Sequence, residues 1–406
     1  MRRNATLARW MATVEGRLGP LTAVADDFTA LTGVPVDVGP TLFERAVLAG
    51  SRLPGRVSAG GSCHLLATSD GWATVNLARP DDHAALPALL ALLGAPRADL
   101  RTAARGVGAA ELAVSAQMLG MAAAELGSQR GERPPVRVER HGPARPRDLA
   151  GLRVVDLSAL WAGPLCARLL GRAGARVVKV ESVSRPDGAR FGSPDFYRRL
   201  HQGHESLVLD FDSGALAEVV AEADLVIEAS RPRALRRLGV RAEEFLAARP
   251  GRVWVSITGY GRDVDRIAFG DDAAVSGGLT GLDRHGDPVF LGDALGDPVT
   301  GVYAAHAAAC SLARGGGELL GVSMAACTAA QAHASAVIGA ANSAVTGAAV
   351  PEAVRAADSV VSGTAVPETT RTPEPPARRE ADPAVTGAAA PAPTGAVQRR
   401  APATTC

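Results

Sequence analysis

Runs of Val, Ile and Leu that are typical of short strands alternate with helical patterns between residue 149 and about residue 330, and this alternation constrains the fold more than any other feature. Parallel strands need long crossover connections, which are usually helices, so the pattern predicts a mostly parallel sheet covered by helices. We therefore predict an α/β fold with a Rossmann-like parallel sheet and flanking helices. The predicted strands are residues 152–157, 176–181, 206–209, 224–228 and 253–257.

The rest of the 406-residue chain divides by composition. Its first part contains helical patterns and two strand patterns, 56–68 and 72–78, joined by a turn, which together predict a smaller α+β domain placed N-terminally. Its last part is rich in Ala, Pro, Thr and Arg and cannot bury enough apolar surface to offset chain entropy, so we predict a mostly disordered C-terminal tail. The predicted division is 1–127 for the smaller domain, 128–148 for a Pro/Arg-rich linker, 149–330 for the sheet domain and 331–406 for the tail.

Charge and cysteine usage narrow the function classes. The 43 basic and 42 acidic residues nearly cancel, so we predict neither a nucleic-acid partner nor a membrane partner. The first 20 residues lack the apolar core of a signal peptide, and the longest weakly polar stretch, 319–350, contains polar side chains, so we expect a cytoplasmic protein. The five cysteines show no CxxC spacing, and we predict no disulfide framework and no metal site.

The first strand–helix–strand unit lacks the phosphate loop of a dinucleotide-binding protein. Residues 158–164 contain one glycine instead of GxGxxG, so the backbone is not predicted to approach a pyrophosphate in the usual way, and a NAD enzyme is disfavoured. Guanidinium groups follow the fourth strand, where ligands of open α/β sheets bind, and they fit either phosphate contacts or a solvated surface. These groups belong to Arg231, Arg233, Arg236 and Arg237.

Asp297 and Pro298 mark the start of a long helix. Asp is favoured at the N-cap and Pro at the first helical position, so we predict these two roles for them. A carboxylate at this end faces the positive end of the helix dipole, which we expect to keep it ionised. An ionised and fixed carboxylate is also what a covalent carboxylate nucleophile requires.

From residue 149 to residue 324 the chain resembles the class III CoA-transferases, the CaiB/BaiF-like family of formyl-CoA transferase, carnitine CoA-transferase and the bile-acid-inducible enzymes. The resemblance depends on the order and spacing of several segments rather than on one motif. These segments are residues 151–158, 162–164, 170–181, 186–190, 206–210, 223–228, 238–240, 256–261 and 296–301.

The resemblance implies transfer of CoA from an acyl-CoA donor to a carboxylic acid acceptor through an aspartyl-CoA thioester on Asp297. It implies that coenzyme A is a substrate, that no cofactor is bound permanently, and that the protein is a homodimer. It also implies a set of CoA-contacting positions. They are Trp161, Ala162, Ser182, His204, Ala229, Ser230, Arg231, Arg237, Thr258, Gly259 and Tyr260.

Two alternatives remain beside the transferase. The related α-methylacyl-CoA racemases pair the aspartate with a histidine in a GHD segment, whereas this chain has Gly270-Asp271-Asp272, which makes racemisation less favoured. A non-catalytic CoA-binding relative would fit the missing basic residues at 182 and 202–205 and the unusual C-terminus. The family places its smaller domain after the catalytic helix, so its weak likeness to residues 56–129 implies a permuted or truncated domain order.

Overall fold

The computed structural model describes residues 11, 14–51, 53–129 and 133–333 of the chain. The predicted disordered tail therefore lies, from residue 334 onward, outside the described residues. Within those ranges, no helix combines the length and the apolar character that crossing a membrane requires.

Helices and strands alternate through most of the described chain. The helices are α1 (Gly19–Thr32), α2 (Val38–Ala49), α3 (Pro80–Leu92), α4 (Leu100–Arg105), α5 (Ala109–Met118), α6 (Ala162–Arg172), α7 (Pro194–Leu200), α8 (Ala215–Ala221), α9 (Pro232–Arg237), α10 (Ala242–Ala248), α11 (Gly270–Ser276) and α12 (Gly296–Ala313), and residues 324–333 are also helical. The strands are β1 (Cys63–Ala67), β2 (Trp72–Asn76), β3 (Ala122–Glu125), β4 (Val136–Arg140), β5 (Arg153–Asp156), β6 (Arg176–Ser182), β7 (Glu205–Leu209), β8 (Leu225–Glu228), β9 (Val253–Thr258), β10 (Thr280–Leu282), β11 (Pro288–Phe290) and β12 (Glu318–Ser323).

A seven-stranded sheet with the order β4-β12-β9-β8-β5-β6-β7 forms the centre of the fold. Every neighbouring pair from β12 to β7 is parallel, which confirms the predicted α/β fold and its parallel sheet. The chain runs outward from β5 to β7, then returns to β8 on the other side of β5 and continues outward to β9 and β12. The loops after β5 and β8 therefore leave in opposite directions, and such a reversal opens a crevice at the carboxyl ends of the strands.

The segment predicted as a linker contains strand β4, which differs from the expectation. It pairs antiparallel with β12 at the edge of the large sheet, with Leu320 opposite Val138. An edge strand pairs on one side only, and most side chains of β4 face water. Its five residues include only two apolar ones, Val136 and Val138, which is too short an alternation to predict a strand within a Pro/Arg-rich segment.

A second, antiparallel sheet in the N-terminal half contains β1, β2 and β3. The first two strands form the predicted hairpin, with Ala67 opposite Trp72. Leu66, Val75 and Leu112 belong to a separate apolar core that this sheet shares with the helices beside it. This part of the chain has the α+β composition that the sequence predicts, while its exact boundaries stay a prediction.

Helices α1 and α2 pack into the core of the large sheet and not into the core around β1 to β3. Phe28 of α1 and Phe43 of α2 are buried in the same apolar cluster as Val154 of β5 and Val299 of α12. Gly33 and Gly50 follow the two helices in the left-handed conformation, which ends each helix. As a result, the N-terminal segment reaches the site described next.

Candidate active site

Asp297 lies in the first turn of α12, two positions further into the helix than the sequence predicts. The helix begins at Gly296, so Leu295 occupies the N-cap and Pro298 is the third helical residue. The chain enters the helix through Ala294, a non-glycine residue in the left-handed region at φ 46°, whose carbonyl accepts a hydrogen bond from the Asp297 amide at 2.8 Å. This turn moves the cap position and still leaves the Asp297 carboxylate at the positive end of the helix.

Gly270, the first residue of α11, makes room for the Asp297 carboxylate. A Cβ atom at position 270 would overlap Asp297 Oδ2 and the carbonyl oxygen of Ala294. Asp297 itself stays partly exposed although its neighbours along the chain are buried. The carboxylate is therefore closely packed, in a residue that is not completely shielded from solvent.

The start of α6 meets the start of α12 beside the same carboxylate. A Cβ atom on Gly301 would lie 2.7 Å from the carbonyl oxygen of Ala162, so a glycine is needed for this approach of the two helices. The backbone amide of Ala162 lies beside Asp297 and favours the charged form of its carboxylate. Amides in the first turn of a helix have no partner within the helix, so they suit an anion or a developing oxyanion.

Burial and like charges dominate the electrostatics of the site. Desolvation, together with the carboxylates of Asp271 and Asp293, raises the pKa of Asp297 to about 7, although Arg45 and the Ala162 amide act in the opposite direction. Desolvation and Asp293 likewise raise the pKa of Asp271 to about 6. The expectation that the helix dipole keeps Asp297 ionised is therefore wrong near neutral pH, where a substantial share of this carboxyl is protonated. Raised carboxyl pKa values of this kind are common where acids take part in chemistry.

Arg45 of α2 is the residue that the sequence reasoning missed. Its Nε donates to Asp293 Oδ2 at 2.8 Å and its Nη2 pairs with the second carboxylate oxygen, while its guanidinium lies 5.0 Å from the centre of the Trp161 ring. Burial alone lowers the pKa of Arg45, but the hydrogen bonds and charge of Asp293 raise it overall, so the group remains a cation. Arg45 and Asp293 are 248 residues apart, and no motif marks either of them as part of a site.

Most of the expected CoA-contacting residues lie at the carboxyl-terminal end of the parallel strands of the large sheet. Trp161 and Ala162 follow β5, Ser182 ends β6, and the two remaining groups follow β8 and β9. Carboxyl ends of neighbouring parallel strands share an edge, so the structure brings these positions together. The groups after β8 and β9 are Ala229, Ser230 and Arg231, with Arg237 in the following helix, and Thr258, Gly259 and Tyr260.

Trp161 and Tyr260 are buried at this edge rather than open. The Trp161 ring contacts Phe196 edge to face, with 5.1 Å between the ring centres, and the guanidinium of Arg266 lies 4.1 Å from the centre of the Tyr260 ring. In the described part of the chain, neither Trp161 Nε1 nor the Tyr260 hydroxyl has a hydrogen-bond partner. Buried polar atoms without a partner are costly, so these two are candidates to contact a ligand or a water molecule.

The arginines and the smaller residues differ in how they are held. Arg231 pairs with Asp265 at 3.6 Å on the surface, and Arg237 is exposed at the end of α9. Thr258 Oγ1 accepts a hydrogen bond from the Gly261 amide, which fixes the turn after β9. The hydroxyl groups of Ser182 and Ser184 are hydrogen-bonded to each other, and the Ser230 hydroxyl donates to the Glu228 carboxylate.

His204 does not lie at the carboxyl-terminal end of the strands. It precedes β7, so it lies at the amino end of a strand, and its ring contacts Gly171 near the end of α6. Ala162 and Gly171 are nine residues apart in a helix that rises about 1.5 Å per residue, which separates them by roughly 14 Å. Burial lowers the pKa of His204 to about 4, so the ring is neutral at pH 7. Its contact with CoA stays a prediction.

Comparisons with known proteins identify the family. A family model described as CoA-transferase family III matches residues 149–368, more than half of the chain. The chain belongs to this family.

Individual relatives match less than half of the chain. A succinyl-CoA–D-citramalate CoA-transferase of Chloroflexus aurantiacus is 31% identical over 183 residues, which are 41% of this chain and 46% of that protein. The succinyl-CoA–L-malate CoA-transferase beta subunit of the same organism is 35% identical over 173 residues, 38% of this chain and 42% of that subunit. A formyl-CoA:oxalate CoA-transferase of Bradyrhizobium is 30% identical over 173 residues, 39% of this chain and 40% of that protein. The chain thus spans less than half of the length of these relatives.

Among solved structures, a CaiB/BaiF family protein from Brucella suis is similar, with a TM-score of 0.43 and 27% identity over 51% of this chain and 60% of that one. Asp297, Ala162 and Gly270 lie inside the region that matches the family model. Arg45 lies outside it, in the N-terminal segment.

Proposed function

We propose that the protein transfers CoA from an acyl-CoA to a carboxylic acid, with Asp297 as the covalent nucleophile. The observation that carries this proposal is the partly exposed Asp297 carboxylate, packed on Gly270 where the first turns of α6 and α12 meet. Family membership supports the reaction class, and the names of the relatives, each of which pairs a CoA thioester with an acid, support a carboxylic acid acceptor.

The proposed reaction consists of two mirrored halves. A carboxylate oxygen of Asp297 attacks the thioester carbonyl carbon, the carbon–sulfur bond breaks, and CoA leaves as a thiolate with an acyl-aspartyl anhydride left on the enzyme. The thiolate then attacks the Asp297 carbonyl carbon of the anhydride, expels the donor acid as a carboxylate and forms the aspartyl-CoA thioester. The acceptor carboxylate attacks this thioester and releases the thiolate again. Attack of that thiolate on the acceptor carbonyl gives the new acyl-CoA and restores the Asp297 carboxylate.

Each attack places negative charge on a carbonyl oxygen next to Asp297. The Ala162 amide favours the charged form of this carboxylate, so it is the group that we assign to stabilising such an oxyanion. The positive ends of two helices add to this stabilisation without any rearrangement. The attack requires the ionised carboxylate, and because its pKa is raised to about 7, the rate should increase as the pH rises through 7.

The crevice between the loops after β5 and β8 is the proposed place for CoA. It lies where the strand order reverses and where most of the positions expected to contact CoA are brought together, from Trp161 and Ala162 to Thr258, Gly259 and Tyr260. A homodimer, a cytoplasmic location and the absence of a permanently bound cofactor remain predictions from the family resemblance.

A trapping experiment tests the nucleophile. The protein is incubated with succinyl-CoA and hydroxylamine, which converts an anhydride or thioester on a carboxyl side chain into a stable hydroxamate, and peptides are then analysed by mass spectrometry. We expect the hydroxamate on Asp297, its loss in Asp297→Asn, and its retention in the matched surface control Asp148→Asn, which changes an exposed acid. CoA transfer by the wild type together with an unmodified Asp297 would refute the assignment.

Racemisation is the alternative reaction, and a separate experiment tests it. The position of the racemase histidine is occupied by Asp271, whose Oδ1 accepts a hydrogen bond from the Ala294 amide at 2.9 Å. A carboxylate held in this way supports the turn before α12 and is a poor substitute for an imidazole that moves protons. Exchange of the α-hydrogen of a 2-methylacyl-CoA in deuterated water, with no acceptor acid present, would favour racemisation instead.

A further inference from the structure

The turn that presents Asp297 is held at three points. Asp293 is paired with Arg45, the Ala294 amide donates to Asp271, and the Ala294 carbonyl accepts from the Asp297 amide. Ala294 adopts a left-handed conformation that is unfavourable for a residue with a side chain. Such a conformation persists only where the surroundings fix it, so the contacts of Asp293 and Asp271 are part of what maintains the turn.

The same guanidinium also reaches the other side of the site. It lies over the ring of Trp161, which directly precedes Ala162, the residue whose amide faces Asp297. The neighbouring residue, Glu44, accepts from Arg168 of α6 at 2.8 Å and pairs with Arg199 of α7. Helix α2 is thus tied through two consecutive side chains to the helix that supplies the amide and to the turn that supplies the nucleophile.

We propose that Arg45, in the segment outside the family-matched residues, is a positioning residue for Asp297 because it joins the turn before α12 to the loop before α6. This inference rests on the proposed function for its catalytic consequence. Arginine suits the role because its planar group can pair with a carboxylate through two hydrogen bonds and stack on an aromatic ring at the same time, whereas a lysine ammonium does neither in this way.

Arg45 also sets the charge balance around the nucleophile. The titratable groups that face Asp297 are Asp271 of α11, Asp293 of the preceding turn and Arg45 of α2. Replacing Arg45 by a neutral residue leaves three neighbouring carboxyls without this cation. Asp297 should then hold its proton to a higher pH.

Arg45→Gln, Arg45→Lys and the surface control Arg241→Gln test the inference by steady-state kinetics with succinyl-CoA. We expect Arg45→Gln to lower kcat by roughly 10- to 100-fold, since small displacements of a nucleophile have effects of this size, with KM for the acyl-CoA changed by less than about twofold. Its pH–rate profile should move to higher pH, and Arg45→Lys should restore the profile more fully than it restores kcat. Arg241 pairs with Glu244 on an exposed part of α10, and its variant should behave as the wild type.

A measurement without turnover accompanies the kinetics. Carbon-13 NMR of aspartate-labelled protein, with the Asp297 signal assigned by Asp297→Asn, follows the titration directly. We expect the Asp297 midpoint to rise by about one pH unit or more in Arg45→Gln, as removal of a nearby cation in a poorly solvated site implies. Asp293→Asn provides a second route if Arg45→Gln folds poorly, because it breaks the same pair while keeping the side-chain shape. It should lower kcat as Arg45→Gln does but move the Asp297 midpoint to lower pH, since it removes a neighbouring carboxylate. The kcat of the double variant should be no lower than that of the weaker of the two single variants.

The outcomes separate the two proposals. A wild type that never modifies Asp297, combined with a shifted Asp297 titration in Arg45→Gln, would refute the proposed function and support the positioning role. An active wild type whose kcat, pH profile and Asp297 midpoint all survive Arg45→Gln and Asp293→Asn would overturn the positioning role and leave the proposed function standing.

Discussion

Asp297→Asn should stabilise the protein, and the gain should grow with pH. The wild-type carboxyl has its pKa raised from 3.8 to about 7, so the folded protein binds this proton more tightly than the unfolded chain does. Stability from such a group is complete below pH 4 and is lost as the pH rises to 7. An uncharged amide of nearly the same shape avoids this loss.

The structure sets the size of the effect. A rise of about three pKa units corresponds to roughly 4 kcal/mol at about 1.4 kcal/mol per unit, an upper value because Asp297 is partly exposed. At pH 8 the variant should therefore gain up to about 4 kcal/mol. At pH 5 it should gain only about 1–2 kcal/mol, since that pH lies only about one unit above the ordinary pKa of the carboxyl in the unfolded chain. With about 2 °C per kcal/mol for a chain of this length, the expected increases in Tm are roughly 8 °C and 3 °C.

Scanning fluorimetry of both proteins from pH 5 to pH 8 measures these shifts. Asp148→Asn is the matched control, because it makes the same acid-to-amide change at an exposed position and should leave the difference in Tm near zero at every pH. A gain that does not depend on pH, or a variant less stable than the wild type at pH 8, would refute the reasoning that burial and like charges hold Asp297 in a costly ionised state.

Two further substitutions test the packing and the backbone around Asp297. Gly270→Ala should abolish hydroxylamine trapping at Asp297 and lower the free energy of unfolding by about 1–3 kcal/mol, because the added methyl overlaps the carboxylate and the Ala294 carbonyl. Gly60→Ala is the control, since nothing lies within 4 Å of its new methyl. A Gly270→Ala protein that is still trapped would contradict the packing. Ala294→Gly should raise the free energy of unfolding by up to about 1 kcal/mol, because glycine adopts the left-handed conformation without strain. It should also lower the rate of hydroxylamine trapping, because the turn becomes more flexible. A loss of stability together with unchanged trapping would contradict strain at this position.

The sheet could be predicted from the sequence, and the proposed nucleophile could be singled out there, because their signals are local. Buried parallel strands appear as continuous apolar runs, and Asp297 stands in a short segment with a recognisable helix start. The position of Asp297 within that helix start could not be predicted, since it depends on the unusual backbone of Ala294. Strand β4 was not predicted because its side chains mostly face water and because its pairing partner follows about 180 residues later.

Arg45 shows a different limit of sequence reasoning. Its pattern in α2 is that of an ordinary amphipathic helix, and only the tertiary packing of that helix beside α6, α7 and α12 places the guanidinium on Asp293. The same packing decides the protonation of Asp297, because the effect of burial and of neighbouring charges exceeds that of the helix dipole that the sequence alone indicates. Local sequence therefore singles out the proposed nucleophile, but not the charges around it.

The raised pKa of Asp297 has two opposing consequences for the proposed chemistry. Near pH 7 only part of the protein has the ionised nucleophile, which lowers the observed rate. The more basic carboxylate is also the stronger nucleophile, and a general increase in reactivity with basicity offsets part of that loss at working pH. Asp271, with its pKa raised to about 6, adds repulsion as it ionises, while Arg45 opposes it. In the proposed chemistry, Arg45 of α2 therefore sets the balance between an Asp297 carboxylate that is too seldom ionised and one that is too weakly nucleophilic. This balance is a physical reason for α2 to pack against the large sheet.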